Sequence, residues 1–231
     1  MIFRIIIFLT FLASTSAAQE TITAATYFDE TDRYQHGILG DHIEYGALVV
    51  TIGDLVKTIQ LPETRVFEDI EPRLADLDGD GGNEIIVVET DLNLGAQLAI
   101  YDETRKIAST PFLGRSHRWL APIGIADFNG DGLMDIAYIE KPHLTKVLKI
   151  VTFEDGELHQ IMEIAGLTNH RIGDDFISGG VRTCAGAVEM ITVDATWDNV
   201  IATRIIDQKP EFVSLGRYTG PQSFVDALAC R

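Results

Sequence analysis

The chain has 231 residues, enough for one domain of about 200 residues or two small ones. Hydrophobic residues make up 46%, which provides for a large core and argues against a disordered chain, while the formal net charge is −17. So acidic a balance excludes a nucleic-acid partner and disfavours anionic membrane surfaces, both of which need clustered Lys and Arg; it suits solubility and cation binding.

The first elements are targeting features. Arg4 is a short positive segment, residues 5–13 (IIIFLTFLA) are an apolar run of nine, and Ser16-Ala17-Ala18 supplies small residues at a cleavage position. Residues 1–18 therefore read as a signal peptide with Gln19 as the expected mature start. The alternative is a retained anchor, but the run is short of the roughly 20 residues that span a bilayer. No other segment is long and apolar enough, so no membrane insertion is expected after signal removal. The expected address is the periplasm or the cell exterior.

Residues 19–231 read as a single all-β domain. Two blocks share a period of 51: residues 75–88 (ADLDGDGGNEIIVV) and 126–139 (ADFNGDGLMDIAYI). A second pair, residues 46–62 and 95–111, runs from Gly to Pro. Arg65, Arg118, Arg171 and Arg217 lead successive segments. The stretches between these marks are short, β-branched and split by turn residues. Strands are predicted over 84–90, 97–101, 133–139, 146–153, 157–164, 188–193, 200–206 and 212–215. Outside the leader no window sustains a 3.6-residue period over 12 residues. Each repeat resolves into an Arg-led strand, an acidic loop, an apolar strand and two further strands. Such units suggest a small β-propeller of about four four-stranded blades, with five possible. Residues 21–62, 63–116, 117–169 and 170–216 would supply the blades, and 217–231 a strand closing the ring. An open β-sandwich would not explain the period.

The acidic loops carry the chemistry. In residues 76–84 (DLDGDGGNE), Asp76, Asp78, Asp80 and Glu84 stand at positions 1, 3, 5 and 9. In residues 127–135 (DFNGDGLMD), Asp127, Asn129, Asp131 and Asp135 do. Alternate side chains of a tight loop can converge, and Ca²⁺ takes six to eight oxygens. Position 7, Gly82 and Leu133, would add a backbone carbonyl, while Gly81 and Gly132 permit the sharp turn. An EF-hand is excluded, because it needs a bidentate acid at position 12 between helices, where this chain has Val87 and Tyr138 in apolar β runs. The plain alternative is a pair of acidic turns without metal.

These two motifs resemble the FG-GAP and VCBS repeats of integrin-α-type β-propellers. The resemblance is specific at 76–88 and 127–139 and looser over 33–75, 89–126 and 140–216. It implies a loop that joins the first and second strands of a blade and binds Ca²⁺. The chain departs from the pattern twice: Glu84 replaces Asp at position 9, and the repeat from Arg171 keeps glycines but no acids until Glu189.

The remaining signals are sparser. Cys184 and Cys230 are the only cysteines, and in an exported chain they are expected to pair. Trp119 and Trp197 are expected to pack between blades. The four phased arginines could ring one mouth of the channel and hold an anion, or each could pair with a nearby acid. His117 and His170 recur in phase before an Arg. No GxSxG, GxGxxG, P-loop or HExxH motif is present. The expected function is a Ca²⁺-stabilised binding or scaffolding module for a protein or glycan partner. The alternative is a hydrolase or lyase at the channel mouth, which requires a histidine beside a carboxylate in a pocket.

Overall fold

The computed structural model describes residues 21–231, and the expected signal peptide lies outside the described residues. The fold is nearly all β, and every strand pairing within it is antiparallel. The first strand group is β1 (Ile22–Thr31), β2 (Glu44–Ile52) and β3 (Leu55–Gln60). The second is β4 (Arg65–Phe67) and β5 (Arg73–Ala75), both on β6 (Glu84–Asp91), then β7 (Gly95–Tyr101) and β8 (Lys106–Ser109). A single pair, Tyr45 opposite Phe67, joins these two groups. The third is β9 (Leu120–Ala126), β10 (Asp135–Glu140), β11 (Val147–Glu154) and β12 (Glu157–Ala165). The fourth is β13 (Leu167–Thr168) and β14 (Gly180–Cys184), both on β15 (Ala187–Asp194), then β16 (Asn199–Ile206) and β17 (Lys209–Arg217).

In the second and third groups the order follows the sequence reading: an inner strand, the acidic loop, the apolar strand, then two outward strands; the first group has three strands, and the fourth keeps the order without the acidic loop. The period-2 alternation of the apolar strands explains the packing, because successive side chains point to opposite faces. On β6, Ile85 and Val87 pack toward Leu48 and Val50 of the first group, together with Phe67 of β4, whereas Ile86 and Val88 pack toward Leu120, Ile136 and Tyr138. On β10, Ala137 and Ile139 face onward to Met190 and Ile205. Each middle sheet thus buries both faces against its neighbours, which is the packing of propeller blades.

The C-terminal end differs from expectation. Residues after Arg217 form no closing strand. They turn into helix α1 (Gln222–Leu228), which buries Phe224 and Ala227 against Ile191, Val193 and Ala202. Seven residues with two buried positions are too short to register as a helical period. Trp119 is buried between the second and third groups as expected. Trp197 instead packs edge-on to Tyr218 and Phe224 beside α1. Cys184 and Cys230 form a disulfide with Cα atoms 5.9 Å apart, tying the end of β14 to the residues after α1.

Candidate functional site

The two acidic loops share one hydrogen-bond frame. In the first, the position-1 carboxylate Asp76 accepts from the N–H groups of Gly79 (2.8 Å) and Gly81 (3.1 Å). Asp127 accepts from Gly130 (2.6 Å) and Gly132 (2.9 Å) in the second. Position 3 accepts from position 5 in both, Asp78 from Asp80 N–H and Asn129 from Asp131 N–H. Position 5 accepts from position 7, Asp80 from Gly82 and Asp131 from Leu133. Position 9 reaches back to position 2: Glu84 accepts from Leu77 N–H at 2.8 Å and Asp135 from Phe128 N–H at 3.0 Å. Gly81 and Gly132 take φ of +90° and +92°, a region closed to most L side chains. Leu77 and Phe128 plug the core.

The loops differ in their oxygens. Asp76, Asp78 and Glu84 each bring an oxygen within 4.8 Å of the others, the single such group of three among the described residues. Asp80 is turned toward Gly82 N–H instead. In the second loop, the Asn129 amide donates to Asp131 at 2.7 Å. Burial, helped by the neighbouring loop carboxylates, raises the pKa of Glu84 and Asp135. All donors in the first loop are hard carboxylate oxygens, a set suited to a hard cation.

A second constellation lies where loops of several groups meet. The pocket has a volume of about 170 Å³ and is lined by His36, His117, Arg118, Trp119, Lys141 and His143 among others. His36 comes from the loop between β1 and β2, and Tyr34 pins that loop by accepting from His117 N–H at 2.7 Å. His36 Nδ1 lies 2.5 Å from Oε1 of Glu68, which is fully buried where β4 breaks off. Thr90 Oγ1 donates to the other oxygen at 2.6 Å, and Trp119 Nε1 donates to the Glu68 carbonyl at 2.8 Å. Burial raises the Glu68 pKa, while the His36 and Thr90 hydrogen bonds pull it back. Nearby Glu44 is buried beside Glu68, Asp41 and Asp69, and its carboxyl is pushed up to about 9.

Across the pocket, His143 Nε2 and His170 Nδ1 are 3.0 Å apart, and His170 Nε2 donates to the Asp174 carbonyl at 3.1 Å. That carbonyl can only accept, so His170 is protonated on Nε2 and His143 donates from Nε2. Burial first, then His170, lowers His143 to about 4. Of the two histidines singled out by phase, His117 stacks on Tyr34 and lies tilted against His36, and His170 serves His143. The histidine with a carboxylate is His36, which no local pattern marks, because Glu68 lies 32 residues away.

The phased arginines share no opening. Arg65 donates to Glu89 at 2.8 Å. Arg118 borders the histidine pocket. Arg171 lies over the Trp197 ring at 4.2 Å, and Arg217 borders a separate cleft near α1.

Comparison with known proteins identifies the repeat that holds the two acidic loops. Residues 76–138, which contain both acidic loops, match the FG-GAP-like repeat family, so the chain carries such a repeat within a propeller-like all-β fold. No curated protein matches. Among solved structures, rhamnogalacturonan lyase YesW is similar over 79% of this chain and 44% of its own, at 12% identity and a TM-score of 0.45. This chain therefore spans less than half the length of that protein.

Proposed function

We propose that the protein is an exported, Ca²⁺-stabilised propeller-like module that binds a protein or glycan partner in the periplasm or outside the cell. The observation that carries the metal is the repetition of one loop frame at two strand entrances, with three convergent carboxylates in the first. Asp76, Asp78, Asp80 and Glu84 would hold one ion with the Gly82 carbonyl. Asp127, Asn129, Asp131 and Asp135 would hold another with that of Leu133. The ion offsets carboxylate repulsion and fixes the crossover from inner to second strand. The disulfide supports export, and no helix among the described residues is long and apolar enough to cross a membrane. A partner surface is supported by the pocket rim, where Leu144 and Ile172 are 57% and 71% exposed.

Metal content by mass spectrometry, after chelation and reloading, tests the reading. Two ions per chain are expected, Asp78→Ala and Asp131→Ala each losing about one and Asp174→Ala none. Saturation at 100 times the dissociation constant stabilises by about 2.7 kcal/mol per independent site. Chelation should therefore lower the melting temperature, Ca²⁺ should restore it, and Mg²⁺ should do so poorly. No retained metal and a melting temperature indifferent to chelator would reduce the loops to acidic turns. Pull-down from the exported fraction with and without Ca²⁺ tests the partner.

A second reading, a hydrolase or lyase at this pocket, is favoured by one observation: a pocket histidine hydrogen-bonded to a buried carboxylate.

A further inference from the structure

We propose that His36 and Glu68 form a general-base pair for hydrolysis of small esters, His36 Nε2 taking the proton from the attacking water. This inference rests on the hydrolase reading. Glu68 fixes the imidazole from behind, through Nδ1, and is itself held by Thr90 and by the Trp119 hydrogen bond to its carbonyl. Nε2 has no hydrogen-bond partner among the described residues, and the His36 side chain keeps 13% of its surface open. The ring therefore presents a lone pair at the pocket, the orientation a base needs. Glu68 is a positioning residue, and its carboxylate offsets the imidazolium charge that forms.

The pocket selects the substrate class. Its volume of about 170 Å³ is below the roughly 300–1,000 Å³ of sites that enclose a drug-sized ligand. It admits a short acyl chain or a single ring. Ile38, Trp119, Pro142 and Leu144 make the walls apolar. Arg118 has no acidic partner among the described residues and spends one N–H on the His117 carbonyl. Its other N–H groups remain for the oxyanion that develops on the ester carbonyl. The step balances without any further reactant. The water oxygen bonds to the carbonyl carbon as its proton passes to Nε2. The bond from that carbon to the alkoxy oxygen then breaks, and the leaving oxygen takes the proton from the imidazolium. Ester and water give acid and alcohol.

The test uses p-nitrophenyl butyrate with the mature protein. Hydrolysis should exceed that by free imidazole at equal concentration. His36→Gln should lower kcat/KM by about 10²–10⁴-fold, and His159→Gln, an exposed histidine on β12, should leave it unchanged. Glu68→Gln should move the acid limb of the pH–rate profile to lower pH, because the carboxylate stabilises the imidazolium. Should that buried substitution prevent folding, NMR of the unaltered protein reads the pair directly, with Nδ1–H and an unprotonated Nε2 on His36. Full activity in His36→Gln overturns the base pair and leaves a hydrolase with another base. Activity no greater than that of imidazole overturns both, and the binding reading is then separate and untouched.

Discussion

Replacing Cys184 and Cys230 together by serine opens a loop spanning 46 residues of sequence separation. For a loop of that size, cross-linking removes roughly 13 cal/mol/K from the unfolded chain, about 4 kcal/mol at 25 °C. The folded state loses little, because other contacts hold the tail. Arg182 Nη1 donates to the Ala227 carbonyl at 2.5 Å, and Phe224 stays buried in the last apolar cluster. The effect therefore falls mainly on the unfolded ensemble. For a chain of this length each kcal/mol moves the melting temperature by about 2–4 °C, so a fall of about 8–16 °C is expected. Circular dichroism melts of the double variant, with the reduced unaltered protein as a parallel, provide the measurement. A shift below about 2 °C in both would refute the entropic reasoning. A collapse of the near-ultraviolet signal from Trp197 before melting would show instead that the bridge shapes the native tail.

Other expectations follow from the same structure. Gly81→Ala and Gly132→Ala force a Cβ onto φ near +90°, where open space removes any clash but not the backbone strain; each should destabilise by about 1–3 kcal/mol in urea titrations. Phe224→Ala, at 5% exposure, should cost about 3–5 kcal/mol and leave metal content unchanged. His143 binds its proton more weakly folded, near 4, than unfolded, near 6.5. Its contribution is present above pH 6.5 and lost as pH falls through 4. With solvent screening of a part-exposed ring, the loss is about 1–2 kcal/mol. Urea midpoints at pH 7.5 and 4.5 should converge in His143→Gln.

Local chemistry made most of the strands legible. The apolar runs 84–90 and 157–164 fall within a residue of β6 and β12, because alternation, turns and glycines are near-neighbour signals. The acidic loops were legible for the same reason, and so was the single disulfide. The glycines at position 4, Gly79 and Gly130, have φ of +75° and +77° and were a readable repeat of the same kind. The pocket was not legible. His36, Glu68 and His143 come together only when loops from different strand groups meet, and sequence spacing says nothing of that. Phase also misled for the arginines. The inner strand is broken by residues 68–72 in the second group and by 169–179 in the fourth, so equal spacing along the chain does not place equal side chains around one opening.

Helix α1 occupies the outer face of β15 and β16, the face that on β6 and β10 receives the next sheet. That placement covers the face on which a further sheet would pack. A duplicated repeat spliced upstream of β13 would find an apolar partner on each side. The same repeat appended after Cys230 would meet a surface already taken, held shut by a covalent bond. Removing the helix would leave Ile191, Val193 and Ala202 uncovered, a sticky end able to recruit the corresponding face of another molecule. Growth of such an array by recombination is thus accommodated in its interior and obstructed at the face that α1 covers.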